Sequence, residues 1–336
     1  MFSRTLLATV GGALLATALA GVTAVPALAQ SPKVTIALPG IPPVYSVVIT
    51  YVADKQGFYK KYGANVELRP FDNGTAAARA VVAGDVDMAW SPTPPVINQI
   101  SNADVPLVAI YGMPNPDWVI GSTEPGKTCK DLAGQDVGVD SVGGARSVAL
   151  RSMLTSCDGV KIDDTKQVAL GSGPGPALIA GRLKYAVLHL DDLSAIEAQG
   201  KKLNVMLTMK ATDPNSHYLS LVVRKDNLAA KRDAIVKSVA AMIEAVRFMQ
   251  DPKNADVVAD AATVTGHNKE IAKAALKEFL ATDFWAIKDD GLPKAKIDAV
   301  SALMKKIGAI KPDKEAVTYD KFVDTSIWKE ANAMVK

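Results

Sequence analysis

The period of hydrophobic and polar positions changes three times between residues 52 and 90. These changes predict, in order, a helix over 52–62, a strand over 66–71, an alanine-rich helix over 75–83 and a buried strand over 86–90. The segment Phe71-Asp72-Asn73-Gly74-Thr75 therefore joins the carboxyl end of a strand to the amino end of a helix. Since α/β proteins bind small ligands at such turns, this turn is the first candidate site.

The alternation of strand-like and helix-like segments continues to about residue 226, and the rest of the chain is helical in pattern. Strands are predicted over 33–38, 105–111, 136–139, 167–170, 185–190, 203–208 and 217–226; helices are predicted over 94–101, 193–200, 228–250, 254–265, 269–280 and 293–307, with others that begin at Tyr45 and Ala145 or end at Gly181. Proline-containing segments near 112–118 and 209–217 are interpreted as two crossovers between lobes. The pattern predicts a two-lobe α/β protein whose C-terminal helices pack on the first lobe.

The first 29 residues have the pattern of a secretory signal peptide. Arg4 precedes an apolar run, and Ala27-Leu28-Ala29 fits a cleavage signal, so the exported chain is expected to begin near Gln30. A transmembrane anchor is the alternative, but the apolar run is short and is interrupted by glycine. Removal of this segment leaves about 307 residues, enough for two lobes with separate cores.

Charge and cysteine content narrow the function classes. The formal net charge is +3 and its charges are interspersed, which argues against a nucleic-acid-binding surface. Cys129 and Cys157 are the only cysteines, and in an exported protein such a pair is most simply a disulfide. Two buried free thiols or a metal site are the alternatives, and the metal site is disfavoured because no further Cys or His lies at ligand spacing. We predict no metal and no cofactor.

The order of short motifs resembles one family of proteins. The corner Gly57-Phe58-Tyr59-Lys60-Lys61-Tyr62-Gly63, the Gly74-Thr75 turn and the segment Ala83-Gly84-Asp85-Val86-Asp87 follow one another as in type II periplasmic solute-binding proteins of ABC importers. The chain is most similar to the branch that binds taurine, alkanesulfonates, nitrate and thiamine-precursor pyrimidines. The resemblance implies a Venus-flytrap fold, with a ligand cleft between lobes. It divides the chain into a signal peptide (1–29), the first part of lobe 1 (30–117), lobe 2 (118–216) and the return to lobe 1 (217–336).

Candidate ligand-binding residues of lobe 1 lie at the predicted carboxyl ends of its strands. The proline-rich loop after the first strand either lines a pocket or is only a connection, and Trp90 either stacks on a ligand or belongs to the core. The lobe 1 candidates are Pro43, Tyr45, Asp72, Asn73, Thr75, Trp90, Ser91, Thr93, Tyr111 and, on the return strand, His217.

Lobe 2 offers a loop rich in backbone donors before the helix that begins at Ala145. Arg146 lies in the first turn of that helix, where a cation is unfavourable unless it binds a ligand anion or an aspartate across the cleft. A solvent-facing Arg146, a hydrogen-bonded core His189 and an N-capping Asp191 are the alternatives. The lobe 2 candidates are Ser141, Gly143, Gly144, Arg146, Gly171, His189 and Asp191.

These observations favour a binding protein over an enzyme. The chain is expected to be a periplasmic monomer that delivers a small organic solute to an ABC importer permease in the inner membrane. The candidate aromatic residues and the donor-rich loop favour an aromatic carboxylate or an organosulfonate; a thiamine-precursor pyrimidine and nitrate remain alternatives. An enzyme on the same fold is the other alternative, but the iron-dependent pyrimidine synthases of this fold use a cysteine cluster that this chain lacks.

Overall fold

The computed structural model describes residues 31–335, and in this range its strands form two separate five-stranded sheets. The strands are β1 Lys33–Pro39, β2 Asn65–Phe71, β3 Met88–Pro92, β4 Leu107–Met113, β5 Val119–Ser122, β6 Asp136–Val139, β7 Lys166–Ala169, β8 Tyr185–Leu188, β9 Asn204–Thr208 and β10 Leu219–Arg224.

Helices cover both sheets and make up most of the C-terminal third. They are α1 Val48–Lys55, α2 Phe58–Lys61, α3 Gly74–Ala83, α4 Thr93–Ala103, α5 Ala145–Leu154, α6 Pro174–Ile179, α7 Leu190–Ala198, α8 Met209–Thr212, α9 Lys225–Gln250, α10 Ala255–Ala262, α11 Lys269–Ala281, α12 Lys294–Lys306, α13 Tyr319–Phe322 and α14 Ser326–Met334. Short 3₁₀ turns span Tyr45–Val47, Cys129–Leu132, Ile162–Asp164, Pro252–Asn254 and Thr263–Thr265.

Each sheet combines parallel strands with antiparallel ones. The first has the order β2-β1-β3-β10-β4, in which β1 pairs in parallel with β2 and β3 while β10 runs antiparallel to β3 and β4. The second has the order β7-β6-β8-β5-β9, in which β5 runs antiparallel to β8 and β9. The chain changes sheet after β4 and again before β10. This arrangement confirms the predicted two-lobe α/β class, and the boundaries at 117/118 and 216/217 stay a prediction.

The first sheet is buried on both faces. In β1, Ile36 and Leu38 belong to the core that also contains residues of α1 and α9, whereas Ala37 packs on the opposite face with α3, α4 and α12. The second sheet is likewise covered by α5 on one face and by α6 and α7 on the other. Because both faces are covered, the loops at the carboxyl ends of the parallel strands are the exposed edge at which a ligand can bind.

Most predicted elements are present with ends shifted by one to three residues, but the helix predicted over 52–62 is two helices. Its first part, α1, already begins at Val48, and Gly57 separates it from α2. Gly57 has a φ of 72°, the left-handed conformation that glycine adopts without steric cost. The glycine therefore ends α1 and redirects the chain, although the hydrophobic period continues through it.

A disulfide joins Cys129 and Cys157, as predicted. It links the 3₁₀ turn before β6 to the segment after α5, so it closes a loop within the second lobe. The C-terminal segment returns to the first lobe: Val323 bridges to Ala109 of β4, and Arg247 of α9 donates a hydrogen bond to Asn332 of α14 at 2.6 Å.

The predicted signal peptide lies outside the described residues. Among residues 31–335, no helix combines the length and the hydrophobicity that a crossing of a lipid bilayer requires.

Candidate functional site

Loops from both lobes enclose a small cavity at the carboxyl ends of the parallel strands. This inner cavity has a volume of about 30 Å³, room for one or two water molecules. The first lobe contributes the loops after β1 and β2, and the second contributes the loops after β6, β7 and β8. Its lining residues are Pro39, Gly40, Val44, Asp72, Asn73, Gly74, Pro92, Trp118, Asp140, Ala145, Arg146, Gly171, Ser172, His189 and Tyr218.

A larger side chamber of about 280 Å³ shares several walls with the inner cavity. Its other walls come from the proline-rich loop after β1, the start of α7 and the segment between α10 and α11. It is lined by Ile41, Pro42, Pro43, Val44, Arg146, Leu170, Ser172, Gly173, Pro176, His189, Asp191, Asp192, Thr265 and His267. The chamber approaches the volume of typical small-molecule sites.

The amino end of α5 is occupied by an aspartate of the same chain. Asp140 accepts hydrogen bonds from the backbone amides of Ala145 at 3.1 Å and Arg146 at 3.0 Å. Gly144 makes this possible, because a Cβ there would lie 2.7 Å from an Asp140 oxygen. The donor-rich loop predicted to hold a ligand anion therefore caps its own helix with a carboxylate.

The side chain of Arg146 lines both cavities. The alternative interpretation, an arginine that faces the solvent, is therefore wrong. Arg146 is 5% exposed, and its guanidinium lies 3.4 Å from the carbonyl oxygen of Gly171 and 3.7 Å from a carboxylate oxygen of Asp192. Its Nε has no hydrogen-bond partner among the described residues. A buried cation with an unused donor is a strong binding group for an acceptor on a ligand.

Asp191 and His267 form an ion pair across the cleft. Nε2 of His267, from the segment between α10 and α11, lies 3.0 Å from Oδ2 of Asp191 on α7. Burial favours neutral His267, but the hydrogen bond to Asp191 and the charges of Asp191 and Asp192 outweigh burial and raise the pKa of His267 above 6.5. Burial and the Asp191 charge raise the pKa of Asp192, whereas the His267 hydrogen bond keeps that of Asp191 low despite burial.

His189 connects the site to the first crossover. The indole Nε1 of Trp118 donates to Nε2 of His189 at 3.1 Å, so Nδ1 carries the proton and donates to Asp117 at 2.9 Å. Asp117 also accepts the backbone amide of Leu190. Because its ring nitrogens are both engaged, His189 holds the crossover against the start of α7, and its ring forms part of the cavity wall.

Tyr45, Trp90 and Tyr111, which suggested a flat ligand, lie in the core of the first lobe and line neither cavity. The hydroxyl of Tyr45 donates to the carbonyl of Ala272 at 2.5 Å, and that of Tyr111 donates to the carbonyl of Ala286 at 2.9 Å. Trp90 packs against Tyr111 with ring centroids 5.7 Å apart. All three are at most 1% exposed, since their strands and helix are covered on both sides.

Ser91, Thr93 and His217 are also core residues. Ser91 donates to a backbone carbonyl, while Thr93 Oγ1 lies 2.7 Å from both His217 Nδ1 and the Ser220 hydroxyl. His217 Nε2 donates to the Gly291 carbonyl at 2.7 Å, so Nδ1 accepts the Thr93 hydroxyl. Burial, opposed by the Gly291 bond, lowers the pKa of His217 to about 4, which keeps the ring neutral.

Seven of the predicted residues line the two cavities, and the others do not. Thr75 lies in the first turn of α3, and Ser141, Gly143 and Gly144 belong to the loop that caps α5. The structure brings together Pro43, Asp72, Asn73, Arg146, Gly171, His189 and Asp191.

Four residues that help to form the site were not among those predicted from the sequence. Asp140 follows a strand directly and could have been recognised as a capping residue. Trp118 lies in a segment interpreted as a crossover, and Tyr218 follows His217 on the return strand. His267 comes from the C-terminal helices, which were interpreted as a scaffold, and no local pattern indicates that this segment folds back to the cleft.

Proteins of known structure or curated sequence resemble this chain over most of its length. A Brucella abortus relative, provisionally named a binding protein, is 22% identical over 293 residues, or 86% of this chain and 91% of its own. The alkanesulfonate-binding protein SsuA of Xanthomonas axonopodis, solved with MOPS, superposes with a TM-score of 0.71 at 14% identity over 88% of this chain and 99% of its own. The periplasmic nitrate-binding protein NrtA of Synechocystis PCC 6803 gives 0.72 at 12% identity over 91% and 89%.

The two solved structures confirm the predicted periplasmic-binding-protein fold. At identities of 12–14% they establish the fold and leave the ligand open. The NMT1/THI5-like family matches residues 45–255, which include β2 to β10 and most of the residues that line the two cavities. The chain belongs to the NMT1/THI5-like family.

Proposed function

We propose that this protein is the solute-binding component of an ABC importer and that it holds a small organic solute between its lobes. Export to the periplasm, action as a monomer and delivery to a permease of the inner membrane are parts of the same proposal. The observation that supports it most directly is the pair of cavities at the interlobe edge, into which the buried Arg146 projects.

Contacts across the cleft explain how a solute would be retained. The hydroxyl of Ser172 donates to the carbonyl of Ile41 at 2.9 Å, and His267 pairs with Asp191, so each contact joins the first lobe to the second. A ligand that touches both lobes binds the closed arrangement better than an open one, and this difference in affinity shifts the population towards closure. The closed arrangement is then the form that a permease would recognise.

For the ligand we propose an organic acid, either an aromatic carboxylate or an organosulfonate, with its acidic group at Arg146. Arg146 is a buried donor with an unused Nε, which supports an anionic group at this position. Trp118 and Tyr218 line the inner cavity, which adjoins the side chamber at Arg146, so a ligand that widens the inner cavity would meet their rings. Nitrate would use only the arginine, and a pyrimidine would use the aspartates, so both remain comparison ligands.

A thermal-shift screen tests the proposal. We expect an organic acid at 100 times its Kd to stabilise the protein by about 2.7 kcal/mol, which raises the Tm by a few degrees. Arg146→Gln should abolish the shift, whereas Arg151→Gln, in the same helix but away from the cavities, should retain it. If organosulfonates, aromatic acids, nitrate and pyrimidines all leave the Tm unchanged, the proposed function is wrong.

A ligand found in this screen also allows a binding protein to be distinguished from an enzyme. The ligand recovered after incubation with the protein should be chemically unchanged by mass spectrometry. Conversion to a product would instead support the enzyme alternative.

A further inference from the structure

We propose that His267 acts as a proton-dependent latch: its charged ring pairs with Asp191 and holds the two lobes in the closed arrangement. This inference rests on the closure contained in the function proposed above, and it couples that closure to pH. The closed arrangement, with or without a solute, is then favoured at mildly acidic pH and loosened at mildly alkaline pH.

The two side chains of this pair belong to different lobes. Asp191 lies in the first turn of α7, a helix that covers the second sheet. His267 comes just before α11, which is part of the first lobe. The ring of Tyr45 stacks on Phe279 of α11 with centroids 5.0 Å apart, and its hydroxyl donates to the carbonyl of Ala272. The distance of 3.0 Å between His267 Nε2 and Asp191 Oδ2 is therefore a contact that opening of the cleft would break.

The backbone on either side of His267 fixes the position of its ring. Gly266 ends the preceding 3₁₀ turn with a φ of 88°, a left-handed conformation that suits glycine. A Cβ at Gly266 would lie 3.2 Å from Cγ of Pro42, so the segment packs closely on the proline-rich loop. On the other side, Asn268 caps α11 by accepting the amide of Ile271 at 2.9 Å. Little chain entropy is therefore lost when His267 pairs across the cleft.

The pair is shielded from solvent but remains accessible to protons. The side chains of His267 and Asp191 are 18% and 11% exposed. Burial disfavours the charged ring, but the hydrogen bond to Asp191 and the charges of Asp191 and Asp192 raise the pKa of His267 above 6.5. A charge-assisted hydrogen bond is about twice as strong as a neutral one, so loss of the proton weakens the contact even where the neutral ring still donates.

The other charged groups near His267 do not replace Asp191 as its partner. The titratable groups that line the same chamber or lie near the pair on neighbouring elements are Tyr45, Arg146, His189, Asp191, Asp192, Asp260, Lys269 and Glu270. Lys269 pairs with Asp260 at 3.1 Å, and Glu270 is exposed. Within residues 31–335, Asp191 is the carboxylate that contacts the ring of His267.

Closure of the lobes therefore takes up a proton. In an open arrangement the ring of His267 is away from the carboxylates of α7, and its pKa returns towards the ordinary value of about 6.5. The closed arrangement binds the proton more tightly. Its extra stability is thus complete below about pH 6.5 and is lost as the pH rises through the raised pKa of the closed form.

Small-angle X-ray scattering of the exported chain, without any solute, tests the latch directly, because the radius of gyration rises when the lobes separate. Between pH 6 and pH 8.5 the wild type should expand, as the ratio of closed to open molecules falls by about threefold or more. His267→Gln keeps a donor that cannot be protonated, and it should remove this response. Asp191→Asn should do the same. His267→Lys, which stays charged across this range, should keep the lobes closed at pH 8.5.

A matched control and a second measurement separate the latch from a general effect of charge. Glu270→Gln removes an exposed charge from the first turn of α11, so it should expand with pH as the wild type does. The chain has three histidines, and His267→Gln identifies the imidazole signal of His267 in an NMR titration. Asp191→Asn should lower the pKa measured for that signal, because it removes the charge that stabilises the protonated ring.

The outcomes distinguish this inference from the proposed function. A radius of gyration that does not change with pH, or that changes equally in His267→Gln, overturns the latch and leaves the solute-binding function standing. The scattering experiment needs no ligand. A thermal-shift screen without a ligand would therefore overturn the proposed function, while a measured pH-dependent closure would still support the latch.

Discussion

The imidazole of His217 is buried in the first lobe between a hydroxyl and a backbone carbonyl. Its folded-state pKa of about 4 lies below the value of about 6.5 in an unfolded chain, so the unfolded state binds the extra proton between these values. The stability that this residue contributes is complete above pH 6.5 and is lost as the pH falls to 4. The full loss amounts to roughly 3 kcal/mol.

Urea denaturation at pH 7, 5 and 4 measures this effect as the difference in free energy of unfolding between wild type and His217→Gln. At pH 7 the substitution should cost about 1–3 kcal/mol, because it disturbs the bonds to Thr93 and Gly291. The difference should shrink towards pH 4. A difference that is constant across this range would contradict the assignment of a neutral buried ring.

For single residues, the sequence predicts which side chains lie near strand ends but not the direction in which those side chains point. Trp90 and Trp118 illustrate the limit. Trp90 lies within β3 and is enclosed by its own lobe, whereas Trp118 directly precedes β5 and forms a wall between the lobes. Which face of a strand is covered depends on helices more than a hundred residues away, and a local pattern does not contain that information.

Among the elements, helix α5 depends on a cap from outside its own first turn. Asp140 satisfies two backbone amides of this helix, so Asp140→Ala should lower the free energy of unfolding by about 1–2 kcal/mol. Asp140→Asn, which keeps one acceptor oxygen, should lose less. The comparison by chemical denaturation is decisive: equal losses in both variants would assign the effect to charge instead of capping.

The ion pair between α7 and the segment before α11 predicts a pH dependence opposite to that of His217. The pKa of His267 is raised in the folded state, so its stabilising contribution is complete below pH 6.5 and is lost as the pH rises through the raised pKa. Wild type should therefore lose thermal stability from neutral to mildly alkaline pH relative to His267→Gln. Asp191→Asn should remove the same slope, and a slope that survives both substitutions would exclude this pair as its source.

Elements were predicted more reliably than their ends or their partners. β6 and the start of α5 lie where the sequence placed them, because a hydrophobic run and a glycine-rich turn bound them locally. The site itself could be predicted only in part, as the cleft edge of parallel strands. Its His267 wall comes from a helical segment whose return to the cleft depends on packing of α11 against α7, not on any local signal.

In the whole molecule, the disulfide ties together the part of lobe 2 that carries Asp140 and Arg146. Cys129 and Cys157 are separated by 28 residues, and a loop of this length corresponds to about 3–4 kcal/mol of stabilisation in the chain-entropy model. The double variant Cys129→Ser, Cys157→Ser should lose this amount in denaturant unfolding. Reduction of the wild type should reproduce the loss, while the reductant should leave the double variant unchanged.

The fluorescence of Trp118 is expected to change when the angle between the lobes changes. Its indole lines the inner cavity and also a cavity of about 390 Å³ beside the two crossovers. The indole N–H donates a hydrogen bond to His189. The other three tryptophans, at positions 90, 285 and 328, are packed in cores. A change in the angle between the lobes would thus alter the surroundings of one fluorophore against a constant background, and ligand binding could be followed in real time by intrinsic emission without any label. Trp118→Phe should remove that change while leaving the background emission in place.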